Sequence, residues 1–590
     1  MASDSNGEKK TADVEAEHLE HPNHHNYHQH QQILSIEEEA VQDAVHIDLS
    51  WRSWLVVAIC TFANMGQIFV VTGAGSVIAF IIRDLGGSPL SGWIIQGPLL
   101  MQSVLSPVLG RLSDVLDRKY VATIPPLIAF VGAIVSARAD SMSALAGGGI
   151  LIGATLCTVS VIHAIPSEIL PLKYRALANG ILAVAGSCSG LMAQLSTGAL
   201  TNLGTGGWRN IFWMQAGFHG LTAVGLFLFY WPPRSAESRA IKLKDLFWAC
   251  DPIGSFLFMG STALMLLALN WAGGAYKWSD AHVAAPLSVG LAMLLCFGLY
   301  EWKFRDDGLI AHIFFKHNAN FAYAMFAFAV EGWVFYSAVN SVVPQIVLHL
   351  GFAPDSFSIA VRQLSFQLPL MATSVFVTWY ATHFKDLQSP LLVTFTCFFA
   401  VCICYSLIRP SWERGQLAIN VFAGIGQGGP LTLLPAAIQF TAPHAYLSTA
   451  TGLSFSARAV GGAFGSAALN AIMNGRLSSN YASGVGGAAV NAGLPNDSVP
   501  ALIAALEAGK LFTANIPGAT VDILNAASAA SKEEYAHAYR LAWASIIPFV
   551  VLALVGVGLL KSMRALMTEK VEATVERVQP VEGKKGEEAA

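Results

Sequence analysis

Long apolar runs separated by short polar connectors fill the chain from about residue 54 to residue 561. A helix needs about 20 apolar residues to cross a bilayer, and the runs are of that length. They lie near 54–82, 91–110, 120–138, 144–166, 177–200 and 211–231, then near 253–271 and 282–302. A last group lies near 320–346, 359–382, 389–408, 416–439, 446–473 and 540–561. The pattern predicts an all-α integral membrane protein with fourteen spans grouped six, two and six. It divides the chain into a polar tail (1–50), a first six-helix half (51–231), a linker (232–252) and a two-helix insert (253–302). A second six-helix half (303–561), with an outer loop at 474–539, and a tail (562–590) follow.

Composition agrees. Only 12% of residues are charged, about half the ~25% of soluble proteins, and the mean hydropathy is +0.52. So little polar surface suits a lipid bilayer as solvent, and a net charge of −4 argues against nucleic acid as a partner. The first fifty residues are polar and lack the apolar core of a cleaved signal peptide. They cluster His18, His21, His24, His25, His28 and His30. Metal binding is conceivable there, but no fixed ligand spacing is evident. The stretch reads as a disordered cytosolic tail, and no metal or cofactor is expected. The eight cysteines lie in or beside apolar runs and read as small buried hydrophobes.

Lys and Arg in short loops set orientation. With the N-terminus inside, inner loops carry thirteen such residues, among them Arg111, Arg118, Lys119, Lys173, Arg175 and Lys385, against six in outer short loops. Both termini are therefore expected in the cytosol. The outer loop 474–539 contains an amphipathic stretch, SVPALIAALEAGKLF, and the glycosylation sequon Asn496-Asp497-Ser498.

The connector GRLSDVLDRK (110–119) carries five charges in ten residues. It resembles the loop signature of the major facilitator superfamily, G-x-L-a-D-r-x-G-r-K, through Gly110, Leu112, Asp114, Arg118 and Lys119; Asp117 stands where the family has Gly. DPIGSFLF (251–258) and GLYEW (298–302) resemble the two-span insert of fungal fourteen-span carriers, and GIGQGGP (424–430) and ARAVGGAFG (457–465) their second half. NAGLPNDSVPALIAALEAGK resembles the long outer loop of the fungal trichothecene efflux pump and siderophore transporter group. The resemblance covers roughly residues 50–565. It implies the major facilitator fold, two six-helix halves plus a two-helix central insert, with substrate bound between halves that rock to expose it to each side in turn. It also implies that Asp114 and the basic residues after it latch the cytosolic side. Gly110, Asp114, Arg118, Lys119, Glu168 and Arg175 are the candidate cytosolic gate; a plain topology-setting loop is the alternative.

The chain departs from standard drug/proton antiporters. Gly149 occupies the register of an expected span-four Arg, Leu191 replaces Pro after GSCSG (186–190), and Gln67 is the polar group nearest the place of a span-one acid. An ionisable group inside a span is costly and hence a functional candidate. Glu331 lies mid-depth in FAYAMFAFAVEGWVFYSAVN, with Phe328 and Phe335 on its helix face, and Arg458 is similarly deep in TGLSFSARAVGGAFG. The two are candidates for proton coupling or substrate contact, or for a static buried pair. His163 can titrate near neutral pH or serve as a hydrogen-bonded structural residue. Gln67 is a candidate cavity group, as are the aromatics Trp333, Phe335 and Tyr336, which packing explains equally well.

These features favour secondary active, proton-coupled efflux of a small organic solute such as a hydrophobic toxin or drug. The competing readings are a ferric siderophore:proton symporter and a non-transporting solute receptor, the latter disfavoured by short polar tails. No P-loop, zinc-ligand helix or nucleophile elbow points to an enzyme. The expected site is the plasma membrane, with the vacuole as the alternative.

Overall fold

A computed structural model describes residues 50–85, 93–116, 118–201, 206–232, 247–272, 276–316, 318–353, 356–507 and 511–572. The His-rich tail, Asp117 and most of the linker lie outside the described residues.

The first half comprises α1 (Trp51–Leu85), α2 (Trp93–Val115), α3 (Arg118–Ala137), α4 (Met142–Cys157) continued by α5 (Val159–Ile169), α6 (Arg175–Thr201) and α7 (Arg209–Phe229). The insert is α8 (Pro252–Trp271) and α9 (Ala281–Lys303). After the short α10 (Ile313–Lys316), the second half begins with α11 (Asn320–Gly332), a π-helical stretch (Trp333–Val342) and α12 (Val343–His349) in one continuous rod. It continues with α13 (Ser356–Phe384), α14 (Gln388–Tyr405), α15 (Glu413–Thr441), α16 (Leu447–Asn491), α17 (Val499–Glu507) and α18 (Val521–Gly558). Helices stand at all the apolar runs read from the sequence. Eleven helical segments among the described residues are long and apolar enough to cross a membrane. The helices α2, α13 and α16 are not among them, since they spend their inner faces on polar groups such as Gln102, Gln367 and Arg458.

The two halves meet along two seams, α2 against α16 and α6 against α13. Both are tight because small residues meet backbone. A Cβ on Gly452 of α16 would strike the Ser106 carbonyl of α2, and one on Gly180 of α6 would strike Thr378 of α13. The insert packs through α8 on α2 and α16, covering the first seam. Its DPIG sequence starts a helix: Asp251 is the N-cap and its Oδ1 accepts from Gly254 N–H at 3.0 Å, with Pro252 at the first helical position. Arg111 of α2 holds the chain on either side of the insert by donating to the carbonyls of Ala249 (2.9 Å) and Asp307 (2.8 Å).

The segment 474–539 is largely helical. α16 runs on to Asn491 and α18 begins at Val521, so both extend past the apolar runs. With α17 they enclose a small core of their own around Tyr481, Val485, Leu502 and Ile523. Asn496 lies exposed in a 3-10 turn before α17.

Candidate functional site

The loop 110–119 meets the other half at the start of α16. The first N–H groups of a helix lack internal partners and carry partial positive charge, and Tyr446 at the N-cap makes no side-chain cap. Asp114 supplies the cap from the opposite half. Its Oδ1 accepts from Ser448 N–H at 3.1 Å, and its Oδ2 accepts from Thr449 N–H and Thr449 Oγ1, both at 2.7 Å. Arg118 donates to Asp114 Oδ1 at 2.9 Å and pairs with Glu168. Gly110 permits this approach, since a Cβ there would run into the Ser448 carbonyl. Its role is thus at the contact between halves.

Arg175 donates to the Gln439 carbonyl at 2.7 Å and to Glu572 at 2.5 Å. Lys119 points elsewhere: its Nζ lies 2.8 Å from the centre of the Trp231 ring and 4.8 Å from that of Phe227, a cation–π contact within one half. Sequence reasoning missed Gln439, a fully buried amide that crosses between halves. Its Oε1 accepts from Ser167 Oγ (2.9 Å) and Asn179 Nδ2 (2.8 Å). A lone Gln in an apolar run gives no sign of that role. His163 Nδ1 contacts Asn179 Oδ1 at 2.9 Å. Because the Asn179 amide nitrogen is committed to Gln439 and the Arg175 carbonyl, Nδ1 of His163 is assigned as the donor.

Deeper, within the second half, Arg458 of α16 forks onto Glu331 of α11: Nε to Oε2 at 2.5 Å and an NH2 to Oε1 at 2.8 Å. Gln427 also donates to Glu331 Oε1, and Arg458 donates to Tyr336 Oη at 2.8 Å. Phe328, Phe335 and Tyr336 stack around the guanidinium, ring centres 4.7–5.4 Å away. The glycine motifs deliver these groups. In GIGQGGP, Gly426 fits against Phe398 and Gly428 against Thr373, seating α15 so that Gln427 reaches Glu331. In ARAVGGAFG, Gly461 lets α16 touch the Ala329 backbone. Glu331 is 0% and Arg458 2% exposed. Charges buried this deeply persist only when paired and hydrogen-bonded. The π-helical stretch begins two residues after Glu331; such local widening of a helix is frequent at functional sites.

Beside this pair lies a narrow cleft of about 50 Å³ between the halves. Gln67, Gln102 and His163 line it from the first half and Gln367, Phe335, Tyr336 and Arg458 from the second. Gln67 is held by its amide nitrogen, which donates to the Thr155 carbonyl (2.9 Å) and Thr158 Oγ1 (3.2 Å), so its carbonyl oxygen is left over. The Oε1 atoms of Gln67, Gln102 and Gln367 are buried with no protein donor among the described residues. Trp333 does not join the cleft; it packs on Phe464 and Phe549 instead.

Residues 57–466 match the family model of the Major Facilitator Superfamily. The chain is 26% identical over 530 residues to the MFS-type transporter prx5 of Penicillium rubens, covering 88% of this chain and 93% of that one. It is 22% identical over 533 residues to the trichothecene efflux pump TRI12 of Fusarium sporotrichioides, covering 88% of each. Among solved structures, it overlays the proton:xylose symporter XylE with a TM-score of 0.53 at 12% identity, over 88% of this chain and 99% of that chain. The human organic anion transporter MFSD10 gives 0.52 at 14%, over 86% and 99%. These two likenesses establish the fold. A multi-pass helical membrane protein with two halves, a cleft between them and this family match over most of its length is a transporter of small organic solutes and not an enzyme. The chain belongs to the Major Facilitator Superfamily.

Proposed function

We propose that this protein exports an uncharged, largely apolar organic solute by proton-coupled alternating access, with the 110–119 face toward the cytosol and that face closed in the state described. The observation that carries the reading is the pairing of a shut gate with a cleft between the halves. Asp114 caps a helix of the opposite half, and beyond that seal lies a cleft whose charged pair, Glu331 and Arg458, is internally neutralised. A site without net charge disfavours a permanent cation. Three amide oxygens lacking donors favour a solute that carries hydroxyl groups on an apolar body. The likeness to a trichothecene efflux pump supports the outward direction. Glu331 is the proposed proton site, since it is the ionisable carboxyl beside the cleft and its partner Arg458 lines that cleft. The plasma membrane is the proposed location.

The test is transport in proteoliposomes under an imposed proton gradient. Three probes are compared: a hydroxylated trichothecene-like terpenoid, a cationic dye and a ferric hydroxamate siderophore. Gradient-driven movement of the terpenoid is the expected result. Movement of the siderophore alone, with protons, would replace the reading with iron acquisition. Saturable binding with no flux of any probe would favour a receptor.

A further inference from the structure

The chain does not leave the molecule when α18 ends at Gly558. It first stays with the second half. Lys561 N–H donates to Asn320 Oδ1 at 2.8 Å, Met563 and Met567 are buried in the second-half core, and Lys385 donates to the Met567 carbonyl at 2.8 Å. It then crosses to the first half. The turn Leu172–Tyr174, between α5 and α6, is a single 3-10 turn whose leading N–H groups have no partner within it. The Lys570 carbonyl accepts from Leu172 N–H and the Thr568 carbonyl from Lys173 N–H, both at 2.9 Å.

Side chains repeat the contact. Lys173 pairs with Glu569 at 2.6 Å and Arg175 with Glu572 at 2.5 Å. His444, from the turn that leads into α16, lies 3.4 Å from Glu572 and 3.5 Å from Glu168. Glu168 is itself paired with Arg118 of the Asp114 latch. The crossing segment is thus anchored to both halves and wired into the gate. Two backbone bonds and two ion pairs together hold the segment on the turn. Nothing in the latch around Asp114 requires them.

We propose that residues 568–572 form a releasable strap, an autoinhibitory contact that keeps the 110–119 face closed and must be stripped from the 172–175 turn before that face opens. The proposal rests on the alternating-access reading, in which the halves separate on this face. Opening moves Leu172 and Arg175 away from Lys385 and Asn320, and the five-residue bridge cannot follow both anchors.

Burial by itself would push the Glu572 carboxyl up, but Arg175 and His444 outweigh it and hold it at about 2. A depressed carboxylate contributes binding that is complete above its free value of about 4.3 and is lost as pH falls toward 2. The Arg175–Glu572 contact therefore persists throughout the physiological range, and release must come from the transport cycle or from something that competes for the strap.

The experiment places a cysteine at Ala450, buried in the first turns of α16 behind the gate, in full-length protein in lipid nanodiscs, where both faces are accessible. The labelling rate by a polar maleimide is read above that of protein without the added cysteine. Deleting residues 568–590 should raise the rate about tenfold, equivalent to ~1.4 kcal/mol of closing free energy. Glu569→Ala combined with Glu572→Ala should give a smaller rise in the same direction, and it carries the test if the deletion perturbs folding. Asp114→Asn serves as the gate control. If Asp114→Asn speeds labelling while both strap variants leave it unchanged, the strap is refuted and the gate stands. If none of the three changes the rate, the strap and the gate reading fall together.

Discussion

At the residue scale, the site is governed by the cost of burying charge. Glu331 and Arg458 are tolerated inside the protein because each satisfies the other with a two-point fork, and Gln427 and Tyr336 take up remaining hydrogen-bonding positions. Removing one member of such a pair leaves the other uncompensated, typically at about 3–5 kcal/mol. Glu331→Gln should therefore lower thermal stability. Because an amide cannot exchange the proton, it should also flatten the pH dependence of transport. Arg458→Ala, which lacks the buried cation but keeps the carboxyl, should lose transport while binding of a fluorescent solute retains a pH dependence. A wild-type pH profile in purified Glu331→Gln protein would show that the proton is carried elsewhere. Both residues were legible in the sequence, since an acid and a base inside apolar runs need explanation. Gln439 and Asn179 were not: buried amides in a span look alike whether they bridge two halves or two neighbouring helices.

At the element scale, closeness of backbones decides where helices can slide or part. The α2–α16 contact depends on Gly110, whose missing side chain admits the first turn of α16. Overpacking such a contact costs about 1–3 kcal/mol. Gly110→Ala should therefore shift the equilibrium toward opening on this face by roughly tenfold, read as faster labelling of the Ala450→Cys reporter. Gly147→Ala on α4 is the control, since a Cβ there meets nothing within 4 Å; its labelling should not change. Equal effects of the two would mean that helix propensity, and not the contact between halves, is at work. The apolar runs fixed where these helices stand but not how far they extend. α16 continues to Asn491 through Ala- and Gly-rich sequence with too little apolar periodicity to betray a helix, and it is held by packing against α17 and α18. Lys119 shows the same limit. The loop signature suggested a gate residue, whereas its ammonium lies over Trp231, a contact that only tertiary geometry supplies.

At the scale of the whole molecule, the arrangement is two halves that share seams, a cleft at the seam and polar fasteners concentrated on one face. On that face, Asp114 with Thr449, Gln439 with Asn179, and the strap at 568–572 all join elements of opposite halves. A rigid protein has no use for so many separable contacts in one place, whereas an alternating carrier needs them to make and break together. Orientation has its own check: Asn496 lies at an exposed turn before α17, and in a glycosylating host the wild-type protein should run more slowly than Asn496→Gln. Identical mobility would remove the support that the sequon gives to the assigned sidedness. The central claim, that solute movement and proton movement are one process, is tested most directly by loading proteoliposomes with a pH-sensitive dye and imposing a gradient of the hydroxylated terpenoid alone. Proton flux opposite to the solute, absent from liposomes holding Glu331→Gln, is the predicted result. Solute flux with no change in internal pH would contradict it.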